Sequence, residues 1–441
     1  MSATAIDIES PLAGYLETSP FPVECGGPRR QKATRLPGLG LSAEESLTAT
    51  TRNNDRWNVH FIWREPGELY LYGTTQPGAD DAHGWVERVD PITLESLASS
   101  PKLPSGGHVW CGGVVAHANG DLYVVSGSYV HRLSPKLEIK AALQLPIDAP
   151  FNGILILSDG RLLTKDLRVN GESSTLVLVD PEALEVVQTV EVGEPSMGRF
   201  AIDAVCSEDL VYVPGTEHLI RLRYALGRLS VDETWRPRYR IDDQRQGPAW
   251  DVTVALGSAW IQDNGDVHFV RDILASHPAG SSSFPPRMGG DRVGPVRLLR
   301  FGTDDPSDAD EVVSEPGKAG WNVAPAVVVP QGRIVITYDS GGGQVSAYRY
   351  HGPGSFETLW KAPVANWWQP LVFADTGEVV LDDYRFDTMD DNLVVLDLET
   401  GREKGRTATG SPMPSGMFPC PGLDRDVYYS SNLTIARIRP C

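Results

Sequence analysis

Two histidines stand where they could move protons. His60 follows Asn58 by two positions, which on an extended strand puts imidazole and amide on the same face. His108 precedes Trp110 by two, in what reads as a neighbouring loop. Histidine changes charge nearest neutral pH, so His60 and His108 form the candidate acid–base pair, with Asp251 as an alternative base. Carboxylates supply the hard oxygen ligands that calcium (Ca2+) or another divalent cation takes, and Asp203, Asp339 and Asp383 are the expected metal ligands. Asn58, Asn152, Asn322 and Gln369 offer amides, Trp250 and Trp368 offer stacking faces, and Arg385 offers a partner for a ligand carboxylate. Such a set suits a small polar organic molecule. The same residue types also have a packing use, in which the ring fills a wedge between repeats and the polar group satisfies loop backbone.

These residues are far apart in the chain, and a repeat is what can gather them. A tight polar turn followed by a β-rich run recurs eight times: Gly67-Glu68-LYLY, Gly120-Asp121-LYVV, Gly160-Arg161-LLTK, Glu208-Asp209-LVYV, Gly257-Ser258-AWIQ, Gly332-Arg333-IVIT, Gly377-Glu378-VVLD and Arg425-Asp426-VYYS. Upstream of most turns an aromatic precedes a small polar residue, as in Trp57-Asn58, Phe151-Asn152, Trp250-Asp251, Trp321-Asn322 and Trp368-Gln369. Downstream come strand-joining turns such as Val89-Asp90-Pro91, Val179-Asp180-Pro181 and Leu396-Asp397. A unit of about 48 residues with four short strands is a propeller blade. The VDPxTLE and LDLETGRE turns, with strand pairs of the LYVVSG…HRLSP kind, resemble the quinoprotein-like β-propeller superfamily in repeat grammar.

The expectation is therefore an all-β, eight-bladed propeller of four-stranded antiparallel blades over residues 55–441, with seven blades and a decorated terminus as the alternative count. The last blade lacks an outer strand, and residues 47–51 of the N-terminal segment 1–54 are expected to supply it and close the ring. The rest of that segment, PRRQKATRLPGLG, reads as a proline-broken strap. Blade five is over-long, with 75 residues separating its turn from the next, so 264–295 is an insertion. In a blade the first strand leaves one face and the second returns to it. The first-strand starts (Asn58, Asn152, Asp203, Asp251, Asn322, Gln369) and second-strand ends (Asp339, Asp383) then share one rim, which the insertion could cover as a lid.

Composition bounds the function. Formal charge is −19, which repels phosphate backbones and anionic lipid, so neither nucleic acid nor membrane is an expected partner. Apolar residues make up 41% and charged residues 22%, the balance of a globular chain. The five cysteines are scattered, without a zinc or disulfide framework, and no basic-plus-apolar leader is visible, so a cytoplasmic protein is expected. The resemblance raises pyrroloquinoline quinone (PQQ) as a cofactor, but no two cysteines are adjacent to form the vicinal disulfide of those enzymes, and their tryptophan docking motif survives in fragments only; PQQ is not expected. The fold also resembles that of propeller lactonases and lyases. The leading expectation is an enzyme of lyase or lactone-hydrolase type, metal-assisted, acting on a small polar molecule at the channel mouth. The alternative is a non-catalytic propeller that binds a protein or peptide partner.

Overall fold

The computed structural model describes residues 12–76, 79–109, 111–168, 171–205, 208–240, 249–263, 296–313, 326–340, 342–367, 369–385, 388, 390–411, 418–431 and 433–441. Among them the chain forms eight blades of four antiparallel strands arranged as a ring, two of which carry a short fifth strand, and no α-helix. The innermost strands of blades 1 to 8 are Trp57–Glu65, Gly113–Ala116, Phe151–Ile156, Ala201–Val205, Val252–Ala255, Val327–Val329, Leu371–Phe373 and Cys420–Pro421. Inner strands are sandwiched between neighbouring blades and so are buried on both faces, as in Leu122–Ser126 and Ile334–Asp339. Outermost strands face solvent on one side, and Ile139–Gln144 alternates between exposed and half-buried positions.

Blade 8 closes the ring. Its first three strands are Cys420–Pro421, Val427–Ser430 and Thr434–Pro440, and its fourth is Leu47–Asn53 from the other end of the chain. That strand pairs antiparallel with Thr434–Pro440, from Leu47 opposite Pro440 to Asn53 opposite Thr434. The predicted segment 47–51 lies within it. Without it the edge of Thr434–Pro440 would be open to pairing with other chains.

The strand-joining turns owe their regularity to an aspartate that accepts two backbone amides. Asp90 Oδ1 accepts from Ile92 and Thr93, Asp180 Oδ1 from Glu182 and Ala183, and Asp397 Oδ1 from Glu399 and Thr400. The residue that follows adopts a left-handed backbone: Leu94 and Leu184 with their side chains buried, and Gly401 in blade 7. Blade 4 breaks this pattern. Leu226, at φ 52°, is fully exposed in a two-residue hairpin with Gly227, so its strain is offset by no burial. Leu226→Asn is expected to raise stability by about 0.5–1 kcal/mol in chemical denaturation.

The N-terminal strap lies across the channel. Backbone carbonyls of Phe21 and Pro22 accept from Trp63 and Ala116 in blades 1 and 2, those of Pro28 and Arg29 from Ile202 and Val254 in blades 4 and 5, and that of Lys32 from Val372 in blade 7. Ala33–Thr34 then runs parallel to Leu371–Phe373 as a fifth strand of blade 7. The strap thus joins inner strands on opposite sides of the ring and puts its side chains on the axis.

Candidate functional site

The axis is built from ions that the strap and the blades contribute jointly. Arg30 is buried, with Nη1 donating to Glu24 Oε1 (2.5 Å) and Nη2 to Asp251 Oδ2 (3.0 Å). Asp251, just before the inner strand of blade 5, also accepts from the Arg199 backbone amide (2.7 Å) and from Gln369 Nε2 (3.3 Å). Glu24 lies 3.0 Å from Arg199 Nε and 4.0 Å from His60 Nδ1. Burial pushes the Glu24 carboxyl up, but Arg199 and Arg30 outweigh it and hold it below the usual carboxylate range. Two lysines stand close by. Lys165 Nζ donates to the carbonyls of Asp166 and Ser196 (2.7 Å each), and Lys32 Nζ bonds Thr253 Oγ1 (3.3 Å). Burial lowers them to about 7 and about 8.

His60 sits in this cluster, fully buried on the inner strand of blade 1. Its Nε2 accepts the Val114 amide (3.4 Å), which assigns the ring proton of the neutral imidazole to Nδ1, on the side of Glu24. Burial pulls its pKa down to about 4, with Glu24 opposing. A depressed folded-state pKa means stability is full above the unfolded value of about 6.5 and is lost as pH falls toward 4. We expect His60 to remove roughly 3 kcal/mol of stability over that window. Denaturation of His60→Gln at pH 7 and pH 4 should show a correspondingly shallower pH dependence than the wild type.

The predicted site residues divide into those the structure brings together and those it does not. His60, Asp251 and Gln369 meet on the axis. Asn152 is buried nearby, where its Nδ2 donates to Met197 O (3.1 Å), while Trp250 packs with Met197, Trp367 and Phe418 in one buried apolar cluster. Asn58 is buried in the seam between blades 1 and 8, donating to Ser431 O (3.1 Å). His108 is partly exposed and bonded to Asp148 (2.9 Å); it shares no partner with His60 among the described residues. Arg385 is exposed at the end of its strand, opposite Asp390. Asn322, Trp368 and the insertion 264–295 lie outside the described residues.

The three expected metal ligands are in separate places. Asp203 accepts Arg29 Nε of the strap (2.6 Å), Asp339 accepts the Gly342 amide (2.8 Å), and Asp383 accepts the Ala365 amide (2.9 Å) and Arg406 Nη1 (2.6 Å). Among the described residues no three His, Cys, Asp or Glu side chains are grouped to hold a metal ion. This donor set does not fit a shared cation.

Glu24, Arg30, Lys32, Lys165 and Arg199 were not among the predicted residues. A signal was present for the strap: Arg29, Arg30, Lys32 and Arg35 fall within seven positions of an otherwise strongly acidic chain. Arg199 and Lys165 carry no local pattern that marks them.

No protein-family profile and no curated protein matches the sequence. Solved structures do match its fold. A quinohemoprotein alcohol dehydrogenase from Comamonas testosteroni aligns over 96% of this chain and 81% of its own, with a TM-score of 0.63 at 12% identity. BamB from Moraxella catarrhalis aligns over 89% and 99%, with a TM-score of 0.57 at 12% identity. A europium-containing methanol dehydrogenase aligns over 96% and 98%, with a TM-score of 0.55 at 10% identity. At such identities the likeness concerns fold alone. The chain is an eight-bladed β-propeller, similar in fold to a quinohemoprotein alcohol dehydrogenase, a methanol dehydrogenase and BamB, and its own N-terminal strap crosses the ring.

Proposed function

We propose that the chain is an enzyme that takes a small polar organic molecule into its channel and acts on it there, by lyase or lactone-hydrolase chemistry. One observation supports this reading above others. Seven buried polar atoms of the axis residues have no hydrogen-bond partner: His60 Nδ1, Glu24 Oε2, Arg30 Nε, Arg199 Nε and Nη2, Asn152 Oδ1 and Gln369 Oε1. Buried polar groups are normally satisfied, and an unpaired one costs about 1–3 kcal/mol. Seven in one region are what a site made for a polar ligand leaves open. His60, neutral with its proton on Nδ1, polarises a substrate carbonyl, while the free Glu24 oxygen accepts a hydroxyl or a proton. Arg30 and Asp251 hold Glu24 and Arg199 in place.

The test compares native and denatured masses of the purified protein. An excess equal to one small organic molecule, lost in His60→Gln, supports the reading. A native mass equal to the polypeptide, unchanged on adding lactones or hydroxy acids, overturns it.

A second reading has its own observation. The six large apolar side chains exposed among the described residues (Ile92, Leu97, Ile139, Val186, Val187 and Leu226) all belong to blades 1–4. All lie on outermost strands or the turns leading into them. That perimeter suits docking of a protein partner, and it is the reading that remains if the channel takes no ligand.

A further inference from the structure

Arg199 is unlike every other buried arginine among the described residues. Five arginines are buried: Arg30, Arg199, Arg221, Arg297 and Arg300. Arg30 donates to Glu24 and Asp251, Arg221 to Asp232, Arg297 to Asp263, and Arg300 to Asp308 and Asp310. The Arg199 guanidinium, in a residue only 6% exposed, makes no such bond. Its Nε is 3.0 Å from Glu24 Oε1, yet neither Nε nor Nη2 is in hydrogen-bonding geometry with any partner. The fork lies 4.6 Å over the Phe418 ring, which fixes its plane.

The charges around it point to the same ligand class. Four buried bases (Arg30, Arg199, Lys32 and Lys165) stand near three buried acids, Glu24, Asp251 and Asp382. Asp166, the other acid beside Lys165, is bonded to Arg168 (2.8 Å). The axis of a protein of net charge −19 therefore carries an excess of basic groups. A planar guanidinium with vacant donors matches the two oxygens of a carboxylate.

We propose that the molecule taken into the channel is a small organic carboxylate and that Arg199 receives its carboxylate group. The assignment rests on the channel reading above. An adjacent hydroxyl or carbonyl of the same molecule then meets His60 Nδ1 and Glu24 Oε2, whose open positions lie beside Arg199.

The experiment is ligand-detected NMR on the full-length protein at pH 7, with acetate and glycolate set against the neutral probes acetamide and ethylene glycol. In the wild type the carboxylates should bind at least about 10-fold more tightly than the neutral probes, since charge-assisted bonds are the stronger ones. Arg199→Gln should weaken glycolate about 10–100-fold, and Arg199→Lys, which keeps the charge and loses the fork, by less. The wild-type comparison stands whether or not either variant folds. Neutral probes that bind as well as carboxylates overturn the assignment and leave the proposed function in place. Carboxylates held equally by wild type and both variants overturn the role of Arg199. Probes that fail to bind at all, together with a native mass equal to the polypeptide, overturn this inference and the channel reading together.

Discussion

Asp251→Ala is expected to lower stability by about 3–5 kcal/mol, the usual effect of removing one partner from a buried ion pair. The sequence reading treats Asp251 as an alternative base. The structure places both of its oxygens in use: Oδ1 accepts the Arg199 amide, and Oδ2 accepts Arg30 and Gln369. Alanine would leave the buried Arg30 guanidinium with Glu24 alone and strand the Arg199 amide. The strap would lose an anchor to blade 5, and Arg199 would shift away from His60. Asp251→Asn keeps one acceptor and should fall between the two. A chemical-denaturation series of the three proteins checks this; an unchanged midpoint for Asp251→Ala would mean that the strap is held by its backbone bonds alone.

Gly198→Ala is the second large effect. A Cβ at this position would stand 1.0 Å from the Trp250 carbonyl oxygen and 2.0 Å from its carbonyl carbon. Both are backbone atoms, so no rotamer change relieves the clash. The segment leading into blade 4 must move away from the one leading into blade 5, which breaks the Arg199–Asp251 bond next door. We expect a loss of about 3–5 kcal/mol, or failure to accumulate folded protein. Gly113→Ala is the control: its nearest foreign atom would be 3.4 Å away, and its cost should stay within about 1 kcal/mol. Thermal and chemical denaturation of the pair separates a local steric conflict from a general intolerance of alanine in the channel wall.

The propeller was legible because each blade writes its own local chemistry. The turn glycines Gly67, Gly120 and Gly160 have positive φ, and Asp90, Asp180 and Asp397 each gather the amides of their own turn. These interactions span a few residues, so spacing in the chain reports them directly. The closing strand was legible by subtraction, since blade 8 has three strands in sequence and a fourth was owed. The aromatic–amide marker was legible as a pattern but mixed in meaning: Asn58 serves the seam with blade 8, while Gln369 reaches the axis.

Local repetition thus determined the eight blades, their order and the strand that seals them, because hairpins, turns and buried β-runs depend on neighbours in the chain. Tertiary structure alone decided what occupies the axis. Glu24 and Arg30 meet Asp251, Arg199 and His60 across separations of up to 221 residues, and nothing in the local sequence of either partner records the other. A basic run in a proline-broken segment looks like a solvated strap until the ring places five inner strands around it. Once desolvated there, each charge needs an opposite one within reach; Arg199 has Glu24 3.0 Å away, yet its Nε and Nη2 remain without a hydrogen-bond acceptor.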